Sequence, residues 1–149
     1  MDLKQRLTEA MKEAMKAKDS VRLGVIRMVR SAIKNTEIDK KVNMDDGQII
    51  ALMSTLLKQR RESAQIYRDN DRIDLAEKEE QEIAVLQEFL PQPLSSDELQ
   101  QLIETAIAEI DATSMKQMGQ VMKLVTAQTV GRAEGRVVSD MVKSCLSNL

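Results

Sequence analysis

The sequence contains no histidine and no tryptophan, a single cysteine (Cys145), and only Tyr67 and Phe89 as aromatic residues. Without histidine there is no Ser-His-Asp triad, no Cys-His pair and none of the usual zinc sites built on His and Cys. One cysteine allows no intrachain disulfide, which suits a reducing compartment. A core with so few aromatic rings must be built from Leu, Ile, Val, Ala and Met, a set that favours helices over sheets. No apolar run approaches the roughly 18 residues that a membrane span needs, so no membrane partner is expected. The N-terminal stretch "MDLKQRLTEAMKEAMK" reads as an amphipathic helix carrying both charges rather than as a signal peptide. The compartment expected from these features is cytoplasmic.

A large net charge is also lacking. The 149 residues sum to −2, so no global positive field points to nucleic acid. The distribution is uneven, however. Met1 to Arg61 holds 14 basic and 8 acidic residues, Glu62 to Gln100 holds 3 and 11, and Gln101 to Leu149 balances at 5 and 5. The length is that of one domain, or of two small helical ones.

Apolar residues recur at helical spacing along nearly the whole chain. Leu3, Leu7, Met11 and Ala14 mark a first helix, and Val21, Val25, Met28, Val29, Ala32 and Ile33 a second. Asp45 and Gln48 form a capping box ahead of a long third helix with Ile50, Met53, Leu57, Ala64 and Tyr67 inward. "RDNDR" ends it, and an acidic fourth helix runs from about Ile73 to Phe89. Pro91 and Pro93, in "LPQPLSSDE", cannot continue a helix and mark a boundary between lobes at 1–90 and 95–149. Ser95 and Glu98 then open a fifth helix, and Ser114 with Gln117 a sixth. Gly131 supplies a turn, and Val137/Val138, Met141/Val142 and Cys145/Leu146 give a seventh helix its apolar stripe. The expected fold is all-α, with a four-helix N-terminal lobe and a three-helix C-terminal lobe.

Several motifs invite chemistry. Arg27, Arg30 and Lys34 share one helix face, as do Lys58, Arg61 and Arg68. Such ridges either grip phosphates, or pair with the acidic fourth helix or are simply solvated, and the second reading is the favoured one. The run "AEKEEQEIAVLQE" offers carboxylates for metal binding or acid–base work, but a solvated face is the expectation. "GRAEG" resembles a phosphate loop only weakly. It lacks G-x-x-x-x-G-K-[ST]; free N–H groups at the helix start, with Arg132 and Arg136 beside them, could accept an anion, but a tight turn between closely packed helices is the favoured reading. Met115, Met118 and Met122 are expected in the core, and Cys145 as a buried, inert thiol.

Three segments, "VIRMVRSAIKNTEID", "LLKQRRESAQIYRDNDRIDLAEKEEQEIAVLQEFLPQPLSSDEL" and "SMKQMGQVMKLVTAQTVGRAEGRVVSDMV", closely resemble the YqeY family of small bacterial proteins. That family shares its fold with the C-terminal tail domain of the B subunit of glutamine-dependent tRNA amidotransferase. The resemblance implies two helical lobes and a link to conversion of misacylated Glu-tRNA(Gln) or Asp-tRNA(Asn), a carbon–nitrogen ligation with glutamine as amide donor. In that complex the tail domain contacts the tRNA, and other domains carry out the chemistry.

The positions carried over are therefore binding candidates: Ser114, Lys116, Gly119 and Lys123 in and beside the S-M-K-x-M-G-x-V-M motif, and Gly131, Arg132, Gly135 and Arg136 around G-R-A-x-G. No catalytic residue, metal ligand or cofactor is implied. Gln120 stands where Lys is common and Glu134 where Asp is common. The K-Q-R motif at Lys58 to Arg60 lies in the other lobe and reads as structural. The leading expectation is a tRNA-binding accessory module, either free-standing or beside an aminoacyl-tRNA or amidotransferase enzyme. A protein-interaction adaptor comes second and an autonomous enzyme a distant third.

Overall fold

The computed structural model describes residues 1–149 as seven α-helices with no strand, the all-α architecture expected. The chain divides into two compact units, Met1–Leu90 and Pro91–Leu149. The division follows from proline chemistry. Pro91 forces Leu90 into an extended conformation (φ −92°, ψ 155°), so the preceding helix stops at Phe89.

The first unit holds α1 (Leu3–Ala17), α2 (Ser20–Lys40), α3 (Asp46–Asp69) and α4 (Ile73–Phe89). Two reciprocal capping boxes start α1 and α3. Asp2 accepts the Gln5 N–H at 2.8 Å while Gln5 accepts the Asp2 N–H at 3.0 Å, and Asp45 and Gln48 repeat the pattern at 2.8 and 2.9 Å. The Asp2 box was not among the sequence expectations, although D-x-x-Q ahead of an apolar period was its signal. Leu7, Ile26, Val29, Ile49, Met53 and Leu86 are fully buried, each worth about 1.5–3 kcal/mol of transfer energy. In α3 the innermost column starts at Ile49, one residue earlier than expected, and Ile50 and Tyr67 are only half-buried.

Charge organises the rest of this unit. Arg68 Nε and Nη2 grip Glu80 at 2.7 and 2.8 Å, and Arg60 Nε reaches Glu82 at 3.2 Å, so ion pairs run between α3 and α4. The last turn of α4 has no basic residue of its own. Cations arrive from elsewhere instead. Arg22 pairs with Glu88, Arg6 donates to the Glu88 carbonyl at 3.4 Å, and both guanidinium groups stand over the Phe89 ring, 5.6 and 5.8 Å from its centre. Positive charge at a helix C-terminus and over an aromatic face is favourable on both counts.

The second unit holds α5 (Ser96–Ile110), α6 (Met118–Thr129) and α7 (Gly135–Ser147), with a 3₁₀ turn at Met115–Gln117 ahead of α6. Ser95 Oγ accepts the Glu98 N–H at 3.1 Å and donates to the Glu98 carboxylate at 3.0 Å. Ile103, Val121, Val125, Val138 and Val142 form the centre of its core. The methionine expectation is corrected for Met115 alone, since Met118 and Met122 pack against this core. Met115 is 42% exposed and Met118 and Met122 only half-buried, because Val121, Val125 and Thr129 occupy the inward column of α6. In α7 only the second member of each apolar pair, Val138, Val142 and Leu146, is buried, and Val137 is exposed.

Candidate nucleic-acid interface

The residues singled out for binding lie on three consecutive pieces of the second unit. Ser114 is extended (φ −156°) and its Oγ accepts the Lys116 N–H at 3.3 Å. The Ser114–Gln117 box forms out of register: Gln117 Oε1 accepts the N–H of Thr113, at 2.6 Å, instead of that of Ser114. The tighter winding of the 3₁₀ turn carries Gln117 one residue further back. Lys116 is exposed on this turn.

Along α6 the inward positions are Val121, Val125 and Thr129. At 100° per residue, Gly119 and Lys123 lie on the opposite side, and both are exposed. Neither Lys116 nor Lys123 has a carboxylate within ion-pair distance, nor does Arg136. A Cβ built on Gly119 would meet nothing within 4 Å. The chain's own packing therefore gives no reason for glycine in the first turn of this helix, where alanine is the better helix former.

The turn between α6 and α7 gives the two other glycines different roles. Gly131 has φ 79°, a left-handed conformation that suits glycine, and lets the chain reverse. Gly135 is the first residue of α7, with open space where a side chain would be. Arg136 follows it on the exposed side of α7. Arg132 behaves differently. Its Nε donates to the Gln92 carbonyl at 3.0 Å, and its own carbonyl accepts the Leu94 N–H at 2.8 Å. That half-buried arginine ties the turn to the proline segment. The structure thus separates Arg132, which braces the turn, from Lys116, Lys123 and Arg136, which are exposed without carboxylate partners.

The other candidate groups resolve as follows. Cys145 is half-buried, not buried, and lines a groove between α5 and α7. Burial, and then the Glu104 carboxylate, push its thiol above the ordinary range, which keeps it protonated and unreactive at neutral pH. The glutamates of α4 that were candidates for metal binding include Glu80 and Glu82, both taken up by arginines of α3. No group of three or more Cys, Asp or Glu side chains is placed to hold a metal ion, and no helix is long and apolar enough to cross a membrane.

Comparison with known proteins gives one family and a set of fungal relatives. The model of the family described as Yqey-like protein matches residues 4–146. Altered inheritance of mitochondria protein 41, mitochondrial, of Lachancea thermotolerans is 36% identical over 135 residues, covering 85% of this chain and 67% of that protein. The proteins of the same name from Vanderwaltozyma polyspora and Candida glabrata are 42% and 38% identical over 85 and 95 residues, covering 56% and 62% of this chain and 46% and 52% of those proteins. The chain thus spans about half the length of most of these relatives. Their names are mitochondrial, which overturns the cytoplasmic expectation. A lone thiol and the lack of an apolar span limit disulfides and membrane crossing, but they carry no address.

Proposed function

The chain belongs to the Yqey-like protein family, and on that premise we propose that it is a tRNA-associated accessory module, one that binds tRNA rather than catalysing. The observation that carries this reading is the outward side of the 3₁₀ turn and α6. Lys116 and Lys123 stand exposed and unpaired there, on either side of a glycine that nothing in the chain requires. Positive charge beside an open backbone suits a phosphate chain, and Arg136 at the start of α7 adds a third cation. The connection to glutamine-dependent amidation of tRNA rests on the family resemblance alone. In this reading the ligation belongs to other chains, an aminoacyl-tRNA or amidotransferase enzyme beside which this one sits.

A salt series with bulk tRNA tests the proposal. Affinity should fall steeply as salt rises, and Lys123→Glu/Arg136→Glu should flatten the log–log slope by about 2, roughly one unit per lost phosphate contact. Arg132 is left in place because its hydrogen bond to Gln92 makes a substitution there a test of folding. Failure to bind at low salt would sink the RNA reading. It would also favour the adaptor alternative, for which Met115, Val130 and Val137 are exposed apolar residues of this unit.

A further inference from the structure

Ion pairs hold four arginines of the first unit and leave several cations exposed, three of which fall in one line along α2. Arg22, Arg60, Arg68 and Arg72 stand against Glu88, Glu82, Glu80 and Asp74. Arg27, Arg30 and Lys34 have no carboxylate partner, and all three are exposed. They recur at steps of three and four along α2, so they form one edge about 10 Å long. That edge borders a groove of about 570 Å³ between α1 and α2, floored by Leu7, Met11 and Ile33. Arg30 Nη1 rests on Met11 Sδ at 2.8 Å, a weak acceptor that a phosphate oxygen would outcompete. The one carboxylate lining the groove, that of Glu37, is already occupied by Lys4 Nζ at 2.5 Å and the Met44 N–H at 2.8 Å.

We propose that this edge of α2 binds the phosphodiester backbone of double-helical RNA. It rests on the RNA-binding reading above but assigns a second surface, in the other unit. Charge complementarity selects an anion, and the shape selects a line of anions, because about 10 Å runs beside roughly three phosphates of one duplex strand. The groove has no aromatic side chain, so it offers neither stacking for unpaired bases nor the aromatic anchors typical of protein interfaces. A duplex backbone needs neither and is read by shape and charge. Gly24, one turn before Arg27, adds a second mark. It lies inside an α-helix, exposed, and a Cβ there would meet nothing within 4 Å. A helix-weakening residue with no packing role leaves the backbone open where a ligand would approach.

The test compares two double charge reversals of equal size in the full chain, Arg27→Glu/Lys34→Glu in the groove edge and Lys16→Glu/Lys78→Glu at exposed lysines elsewhere in the unit. Binding to bulk tRNA and to a blunt RNA duplex is measured across salt, with thermal melts to confirm that both variants fold. The groove variant should flatten the log–log slope by about 2 on both ligands, while the control keeps the wild-type slope. Equal losses in the two variants would reduce the edge to a net-charge effect and overturn the proposal. Wild-type binding by the groove variant would overturn it while leaving the α6 surface standing. No RNA binding by the wild type would overturn both. Gly24→Ala provides a second reading: it should raise thermal stability and weaken RNA binding, and a rise in stability with unchanged binding counts against the edge.

Discussion

In Met1–Leu90 the arginines that face α4 are matched to its glutamates, Arg60 to Glu82, Arg68 to Glu80 and Arg22 to Glu88. In Pro91–Leu149 Lys116, Lys123 and Arg136 point outward with no carboxylate beside them, and the one arginine with a job inside the fold, Arg132, bonds to a backbone carbonyl. A cation whose charge is cancelled by its own chain is part of the scaffold. A cation left uncancelled keeps its field available to a partner. The same distinction operates within α2, where Arg22 reaches α4 while Arg27, Arg30 and Lys34 line the opposite groove.

The comparison can be broken most forcefully by testing whether packing or charge holds each unit together. Leu86→Ala and Ile103→Ala, each removing a fully buried side chain, should lower stability by about 2–5 kcal/mol. Denaturant melts at about 0.1 M and about 1 M salt should give the same loss, because packing is not screened. A smaller effect sharpens the contrast. A double-mutant cycle on Arg60 and Glu82, whose side chains are 18% and 22% exposed, should return a coupling of about 1 kcal/mol that shrinks in high salt. Substituting Lys123 should leave stability within about 0.5 kcal/mol.

Gly119→Ala separates stability from binding. It should stabilise the free protein by about 0.5–1 kcal/mol, read by melting, while weakening tRNA affinity. The smallest effect is the pH response of Glu37. The Lys4 ammonium, and then the Met44 N–H, hold its carboxyl below the usual range. A folded-state value below the unfolded one contributes stability that is present at neutral pH and lost as pH falls through the folded value. Wild type and Glu37→Gln should therefore converge in denaturant midpoint on acidification, and a constant gap would contradict the sign.

Much of this fold was legible in the sequence because local rules suffice for helices. Asp45 with Gln48, Pro91 with Pro93, and the valines of α7 each work within one or two turns of themselves. Depth was harder to read. Ile49 rather than Ile50 is innermost and Met115 is exposed, because which flank of an apolar stripe meets a neighbour depends on the neighbour's position. The candidate site was legible as a set of residue types but not as a sorting of them. Arg132 and Arg136 look alike in sequence, and only the Gln92 carbonyl, 40 residues away, distinguishes the brace from the open cation. The basic ridges of α2 and α3 showed the same ambiguity: Glu80 of α4 takes Arg68 of the α3 ridge, whereas Arg27, Arg30 and Lys34 of α2 have no carboxylate partner.

The most direct test follows the arginine Nε–Hε resonances by NMR while tRNA is titrated in at low salt. Arg27, Arg30 and Arg136 should shift or broaden, while Arg60, Arg68 and Arg132 keep the positions fixed by their partners within the chain. Movement of the paired arginines with silence from the unpaired ones, or no response from any of them, would contradict the division of charge between scaffold and surface.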